Sequence, residues 1–234
     1  MHKYADDVKL GLHAMSGGHP DGHAERPDAD RRLELFRSLH AIARTGLHFC
    51  RDEYDRERYG QVERVAAELL AGGTHLTPAE LQRDWAAETG YVTPKVEVRG
   101  AVFRPDDEAV LLVRETMDGR WTLPGGWADV NDSPSGAVLK EIEQESGFRA
   151  RIVKLAALYD RNLHGHPRSI FHSWKVLFLC DIEGGTARGS LETDAVEFFP
   201  VDALPPLSLG RTTAAQVQRM LHHFRNPGIS TDFD

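Results

Sequence analysis

The sequence predicts an α/β protein: a small all-helical unit followed by a domain of mixed strands with two helices. Three observations predict it. Apolar residues recur at helical spacing from Ala29 to about Gly90, and after Tyr91 the apolar period switches to two. Between the strand-like segments, a glycine pair, Gly125-Gly126, opens into a helix with carboxylates on one face that Gly147 closes.

Residues 1–28, rich in Gly, His, Pro and Asp, carry no sustained period and are expected to form a flexible arm. His13, His19 and His23 are too irregularly spaced there to suggest a metal site. The helical unit is expected over 29–90. Leu33, Leu35, Phe36, Leu39, Ile42, Ala43 and Leu47 share helical spacing in a first helix that should end near Gly46. Asp55 to Ala71 supplies a second helix stopped by Gly72-Gly73, and Thr77-Pro78-Ala79-Glu80 opens a third with capping-box spacing. The Arg and Tyr side chains of RDEYDRERY (51–59) can clamp an anion or a base, although a charged helix start is the plainer reading. Three short helices of about 60 residues are marginal alone and should pack on something further.

The second domain is expected over 92–226, with 227–234 as a C-terminal tail. KVEVRGAVF and EAVLLVRE read as a strand pair across the turn Pro105-Asp106-Asp107. ARIVKLAALYDR, SIFHSWKVLFLCDIEG and AVEFFPV read as further strands, and Arg211 to Phe224 as an amphipathic helix started by Thr212 or Thr213. The central helix begins at Ser133-Pro134, where Ser can accept from a free backbone N–H and Pro is tolerated at the first position. Glu141, Gln144 and Glu145 lie within about a turn of one another. Oxygen ligands so spaced suit a hard divalent cation such as Mg2+, which keeps substrate phosphates and water as its other ligands.

The stretch GGWADVNDSPSGAVLKEIEQESGF resembles the Nudix box: Gly, five residues, Glu, seven residues, then Arg-Glu-apolar-any-Glu-Glu-any-Gly-apolar. Without gaps, Gly126 and Gly147 fall on its glycines, Glu141 and Glu145 on two of its metal-binding glutamates, and Phe148 on the closing apolar residue. Asp132 replaces the first Glu, Lys140 the Arg, and Gln144 the remaining Glu, which removes one charge and weakens metal binding. The resemblance implies an α/β/α sandwich with a mixed sheet. TGLHFCRDEYDRERY, TPKVEVRGAVF, YDRNLHGHP and LPPLSLGRTT are similar to a Nudix branch in which a short helical domain comes first. That branch implies a homodimeric CDP-choline or ADP-ribose pyrophosphatase.

The resemblance further implies Mg2+ or Mn2+ as cofactor, held by Glu141, Glu145, the Gly126 carbonyl and, neutral or through water, Gln144. Metal-activated water would attack a nucleoside diphosphate derivative in line. Lys140 is expected to pair with Asp132, holding turn to helix, though without the bidentate fork of arginine. Arg99, Arg161, Arg168, His164 and His166 are candidate substrate contacts. Asp160, His164 and His166 are candidate general bases on a strand-connecting loop. Trp127 and Trp174 can stack a base or a choline-like cation.

The net charge of −8 disfavours a nucleic-acid polymer as partner but not a nucleotide bound through a cation. No run approaches 18 apolar residues and no signal-peptide core opens the chain, so a cytoplasmic protein without membrane partners is expected. Cys50 and Cys180 read as small buried hydrophobes. Two further functions stay open: a sanitising hydrolase of modified nucleoside triphosphates, and a nucleotide-sensing module in which Gln144 marks lost catalysis.

Overall fold

A computed structural model describes residues 28–72, 76–86 and 90–234. The histidines of the N-terminal arm lie outside the described residues. The chain divides into two compact units: one ends at Pro94 and takes in Arg168–His172, the other comprises Lys95–Pro167 and Ser173–Asp234. Among the described residues no helix is long and apolar enough to cross a membrane.

The first unit has three helices, α1 (Asp28–Phe49), α2 (Glu53–Ala71) and α3 (Pro78–Ala86). Asp52 caps α2 by accepting from the Asp55 N–H at 2.9 Å, and Arg58 pairs with Asp55, so this charged segment serves as a helix start. Thr77 and Glu80 form the reciprocal capping box of α3. Leu33, Ala66, Ala67, Leu70, Leu81, Trp85 and Ile170 bury a common core. α1 does not end near Gly46. That glycine sits inside the helix because the Tyr59 ring of α2 packs on it, so closely that a Cβ there would lie 2.4 Å from the ring. Arg168–His172 was expected within the second domain. Ile170 instead fills the helical core, and the Arg37 guanidinium donates to the Ser169 carbonyl.

The second unit begins with β1 (Lys95–Val102), followed by β2 (Val110–Glu115), β3 (Trp121–Thr122) and β4 (Gly125–Trp127). After α4 (Pro134–Ser146) come β5 (Phe148–Asp160), β6 (Ser173–Gly185), β7 (Thr193–Phe199), α5 (Ala214–Arg225) and β8 (Asp232–Phe233). A mixed five-stranded sheet has the order β4-β1-β6-β5-β8, and a second sheet the order β3-β2-β7. β1 runs parallel to β6 and antiparallel to β4. Alternate residues of β1 and β6 enter two apolar clusters. Val98, Val102, Val176 and Phe178 pack on Ala137, Val138 and Ile142 of α4. Ala101, Leu177 and Leu179 join Val217 and Met220 of α5 in the other.

Two expectations need correction here. β1 and β2 meet in a turn but do not form a strand pair: one bridge, Phe103 to Val110, joins them before they diverge into different sheets. Residues 227–234 are no tail. β8 adds in parallel to Ala157-Leu158, and Asp232 accepts from Tyr159 Oη at 2.9 Å and from the Arg219 guanidinium. A two-residue strand has no period to reveal it. Cys180 is buried as expected, whereas Cys50 is half-buried; both are free thiols.

Candidate active site

The site forms where β4 crosses to α4. Gly125 has φ +148°, and a Cβ there would lie 2.1 Å from the Val98 carbonyl oxygen, so only glycine lets β4 close on β1. Its N–H donates to Glu145 Oε2 at 2.8 Å. Gly126 has a second use: a Cβ there would be 3.0 Å from Glu141 Oε1, so the missing side chain seats that carboxylate. Ser133 caps α4 by accepting from Gly136 N at 3.1 Å, and Gly147 ends it with φ +76°. Glu141 and Glu145 are 7% and 4% exposed, whereas Gln144 is exposed. Lys140 Nζ lies 3.1 Å from Asp132 and 3.0 Å from Asp129.

Behind the carboxylates is a buried charge network that sequence reasoning missed except for Arg99. Arg99 donates through Nε to Glu97 Oε1 at 2.7 Å and through Nη1 to the Leu123 carbonyl at 3.0 Å. The other Glu97 oxygen lies 2.6 Å from Nζ of the fully buried Lys175. Burial alone would raise the Glu97 carboxyl, but Lys175 and Arg99 overcome it and hold the group at about 2. Burial brings Lys175 down to about 8 against the pull of Glu97. Glu145 moves the other way: burial raises it to about 8 although Arg99 and the Gly125 N–H favour its charged form. Glu115, also raised by burial, pairs with Arg211 at 3.1 Å. A detectable signal existed: Glu97, Arg99 and Lys175 each interrupt an otherwise apolar strand at positions facing away from α4.

The remaining candidates are not all beside the carboxylates. Arg161 is buried, its guanidinium donating to the Pro167 carbonyl at 2.7 Å and toward the Gly210 carbonyl, which ties two loops together. His166 Nδ1 lies 2.7 Å from the Leu209 carbonyl and must donate to it, so Nε2 carries the lone pair. Burial, with Lys175 nearby, keeps that imidazole neutral down to about 3. His164 stacks on Tyr159 and meets Asp234 at 2.8 Å. Asp160 accepts from the Asn162 backbone N–H at 2.9 Å, capping a short 3-10 turn. Arg168 belongs to the first unit. Trp127 is half-buried in register with Glu97; Trp174, in register with Val96, is 45% exposed.

These residues fit a divalent cation in one specific way. Among the described residues no group of three or more His, Cys, Asp and Glu is placed to hold a metal. Two carboxylates do converge on the glycine turn, and the burial that raises Glu145 shows how strongly its anion needs a compensating positive charge. Such a pair suits an ion that takes its other oxygens from phosphates and water.

Comparison with known proteins agrees with this geometry. Residues 30–84 match the family described as a UDP-X-like, N-terminal oligomerisation domain, and residues 93–220 match the NUDIX domain. YjhB of Bacillus subtilis (strain 168), named provisionally as an ADP-ribose pyrophosphatase, is 40% identical over 86% of this chain and 96% of its own. An ADP-ribose pyrophosphatase of Methanocaldococcus jannaschii is 30% identical over 54% of this chain and 74% of its own. The crystal structure of an ADP-ribose pyrophosphatase from Streptococcus suis superposes with a TM-score of 0.56 at 40% identity, covering 61% of this chain and all of that one. That of a UDP-X diphosphatase gives 0.56 at 31% identity, covering 88% and 98%. With the glycine turn, the carboxylate helix and the helical unit all accounted for, the chain belongs to the Nudix family of pyrophosphohydrolases, in the branch that carries an N-terminal oligomerisation domain.

Proposed function

We propose that the protein cleaves a nucleoside diphosphate linked to a second group, of the ADP-ribose or CDP-choline type, into two monophosphates in the presence of Mg2+ or Mn2+. The observation that carries this reading is the pair of buried carboxylates, Glu141 and Glu145, seated on Gly126 and Gly125. The printed activities of YjhB, the Methanocaldococcus enzyme and the UDP-X diphosphatase favour a diphosphate ester over a triphosphate. When bound, the cation neutralises phosphate charge and lowers the pKa of the attacking water.

Each side chain then has a task. Glu141 and Glu145 hold the cation with the Gly126 carbonyl, and Gln144 contributes a neutral oxygen at the rim. Arg99 fixes the carbonyl of Leu123, two residues before the glycine pair, and opposes the burial that would keep Glu145 protonated. Lys140 joins turn to helix through Asp132. Arg161, Arg168, His164 and His166 are assigned to the substrate, and the active species is a homodimer.

Turnover of ADP-ribose, CDP-choline, UDP-sugars and nucleoside triphosphates with Mg2+ or Mn2+ tests this, with products identified. Two monophosphates from a diphosphate ester, lost in Glu145→Gln, are expected; pyrophosphate released from a triphosphate refutes the substrate class. The neutral, exposed Gln144 favours a second reading, a nucleotide-sensing module. Wild type without turnover, recovered in Gln144→Glu, would select it.

A further inference from the structure

α1 carries two faces. Leu33, His40 and Ala43 are buried, and Leu33 belongs to the helical core. On the opposite side Leu35, Ile42 and Phe49 are 46%, 58% and 61% exposed. Position 42 is about 200° around the helix from position 40, so no rotation buries both within one chain. The exposed residues are spaced by seven, with Ser38 and Thr45 between them. Large apolar residues at 35, 42 and 49 with small ones at 38 and 45 make the first-and-fourth pattern of a helix that pairs with another helix, the small residues permitting close approach. α2 also exposes Tyr54, Val65 and Leu69, but Arg58, paired with Asp55, interrupts that face.

We propose that α1 is a two-fold seam between two copies of this chain, with Ile42 on the symmetry axis against its own counterpart. This rests on the reading of residues 30–84 as an oligomerisation unit and adds which face associates, with which occupant. A second copy fits because the stripe is self-complementary: under a two-fold, one apolar row meets an identical row with no buried charge left over. It also supplies the apolar burial that three short helices of one chain lack.

The test is the solution mass of the full chain by light scattering, for wild type, Ile42→Glu and Val65→Glu, with far-UV circular dichroism as the folding check. Wild type and Val65→Glu should run at twice the 26.1 kDa chain mass, and Ile42→Glu at that mass once. A wild-type dimer that persists unchanged in folded Ile42→Glu overturns the seam and leaves the oligomerisation reading standing. A wild-type monomer overturns both. Should Ile42→Glu not fold, Ile42→Cys in a Cys50→Ser background replaces it. Oxidation should then yield a covalent dimer, because residues on a two-fold face themselves whichever way the partner helix runs. A dimer that fails to cross-link there overturns the seam.

Discussion

Metal binding at this site should be coupled to the release of one proton, and the coupling should vanish when Glu145 is replaced. Burial holds the Glu145 carboxyl at about 8 in the metal-free protein. At neutral pH such a group is ionised in about a tenth of the molecules, while a cation binds only the ionised form. Each bound ion should therefore displace about 0.9 proton at pH 7, and apparent affinity should rise about tenfold per pH unit below 8 and level off above it. Mn2+ titrations by calorimetry in two buffers of different protonation enthalpy count the protons directly. The same shift acts on folding. A carboxyl raised from 4.5 to about 8 contributes stability that is complete below its unfolded pKa and is lost as pH rises through the folded one. The difference amounts to about 5 kcal/mol, so the metal-free protein should melt lower at pH 9 than at pH 6, and saturating Mn2+ should restore it. A wild-type protein that binds Mn2+ with no proton release and no pH slope would refute the reasoning. So would a Glu145→Gln variant that keeps both.

Gly125→Ala should destabilise the fold by about 3 kcal/mol or more in thermal melts, since both its φ and the Val98 carbonyl exclude a side chain. Gly126→Ala should instead weaken Mn2+ binding with little change in melting temperature, because its Cβ meets the Glu141 carboxylate rather than backbone. Lys175→Met, which leaves Glu97 to Arg99 alone, should cost about 3 kcal/mol in denaturant titrations. Adding Glu97→Gln should recover most of it, because the double variant buries no unmatched anion. Gln144→Glu, at an exposed position, should change stability by less than about 0.5 kcal/mol. It should tighten Mn2+ binding by up to about tenfold, or about 1.4 kcal/mol, as read by titration.

What was legible in the sequence follows from whether the governing interaction is local. The α4 boundaries could be read because Ser133, Pro134 and Gly147 each act on the backbone within a few residues. The capping boxes of α3 and α5 are local in the same sense. Gly46 misled because its role is set by Tyr59, thirteen positions away on another helix. The charge network was hidden for a related reason. Alternation shows that Glu97, Arg99 and Lys175 point one way, but not that β6 lies beside β1 and brings Lys175 to Glu97. Nor could spacing alone show that Gln144 sits at the rim while Glu141 and Glu145 are enclosed, since all three fall within about one turn. The β1–β2 turn was visible; the divergence of its strands depends on β7, made nearly a hundred residues later.

The strand order also fixes when this site can come into being. β1, which carries Arg99, lies between β4 and β6, so the Lys175 that balances Glu97 reaches its partner only after more than seventy further residues have been synthesised. Asp232, which secures Tyr159 and Arg219, arrives later still. While the chain is emerging, Glu97, Arg99 and the carboxylate helix exist without the neighbours that match their charge. The helical unit, whose elements are sequential apart from Arg168–His172, is nearly complete well before that. Its exposed seam is then available to a second nascent chain while the catalytic unit of each is still unassembled, so association can precede, and hold together, the slower folding that follows.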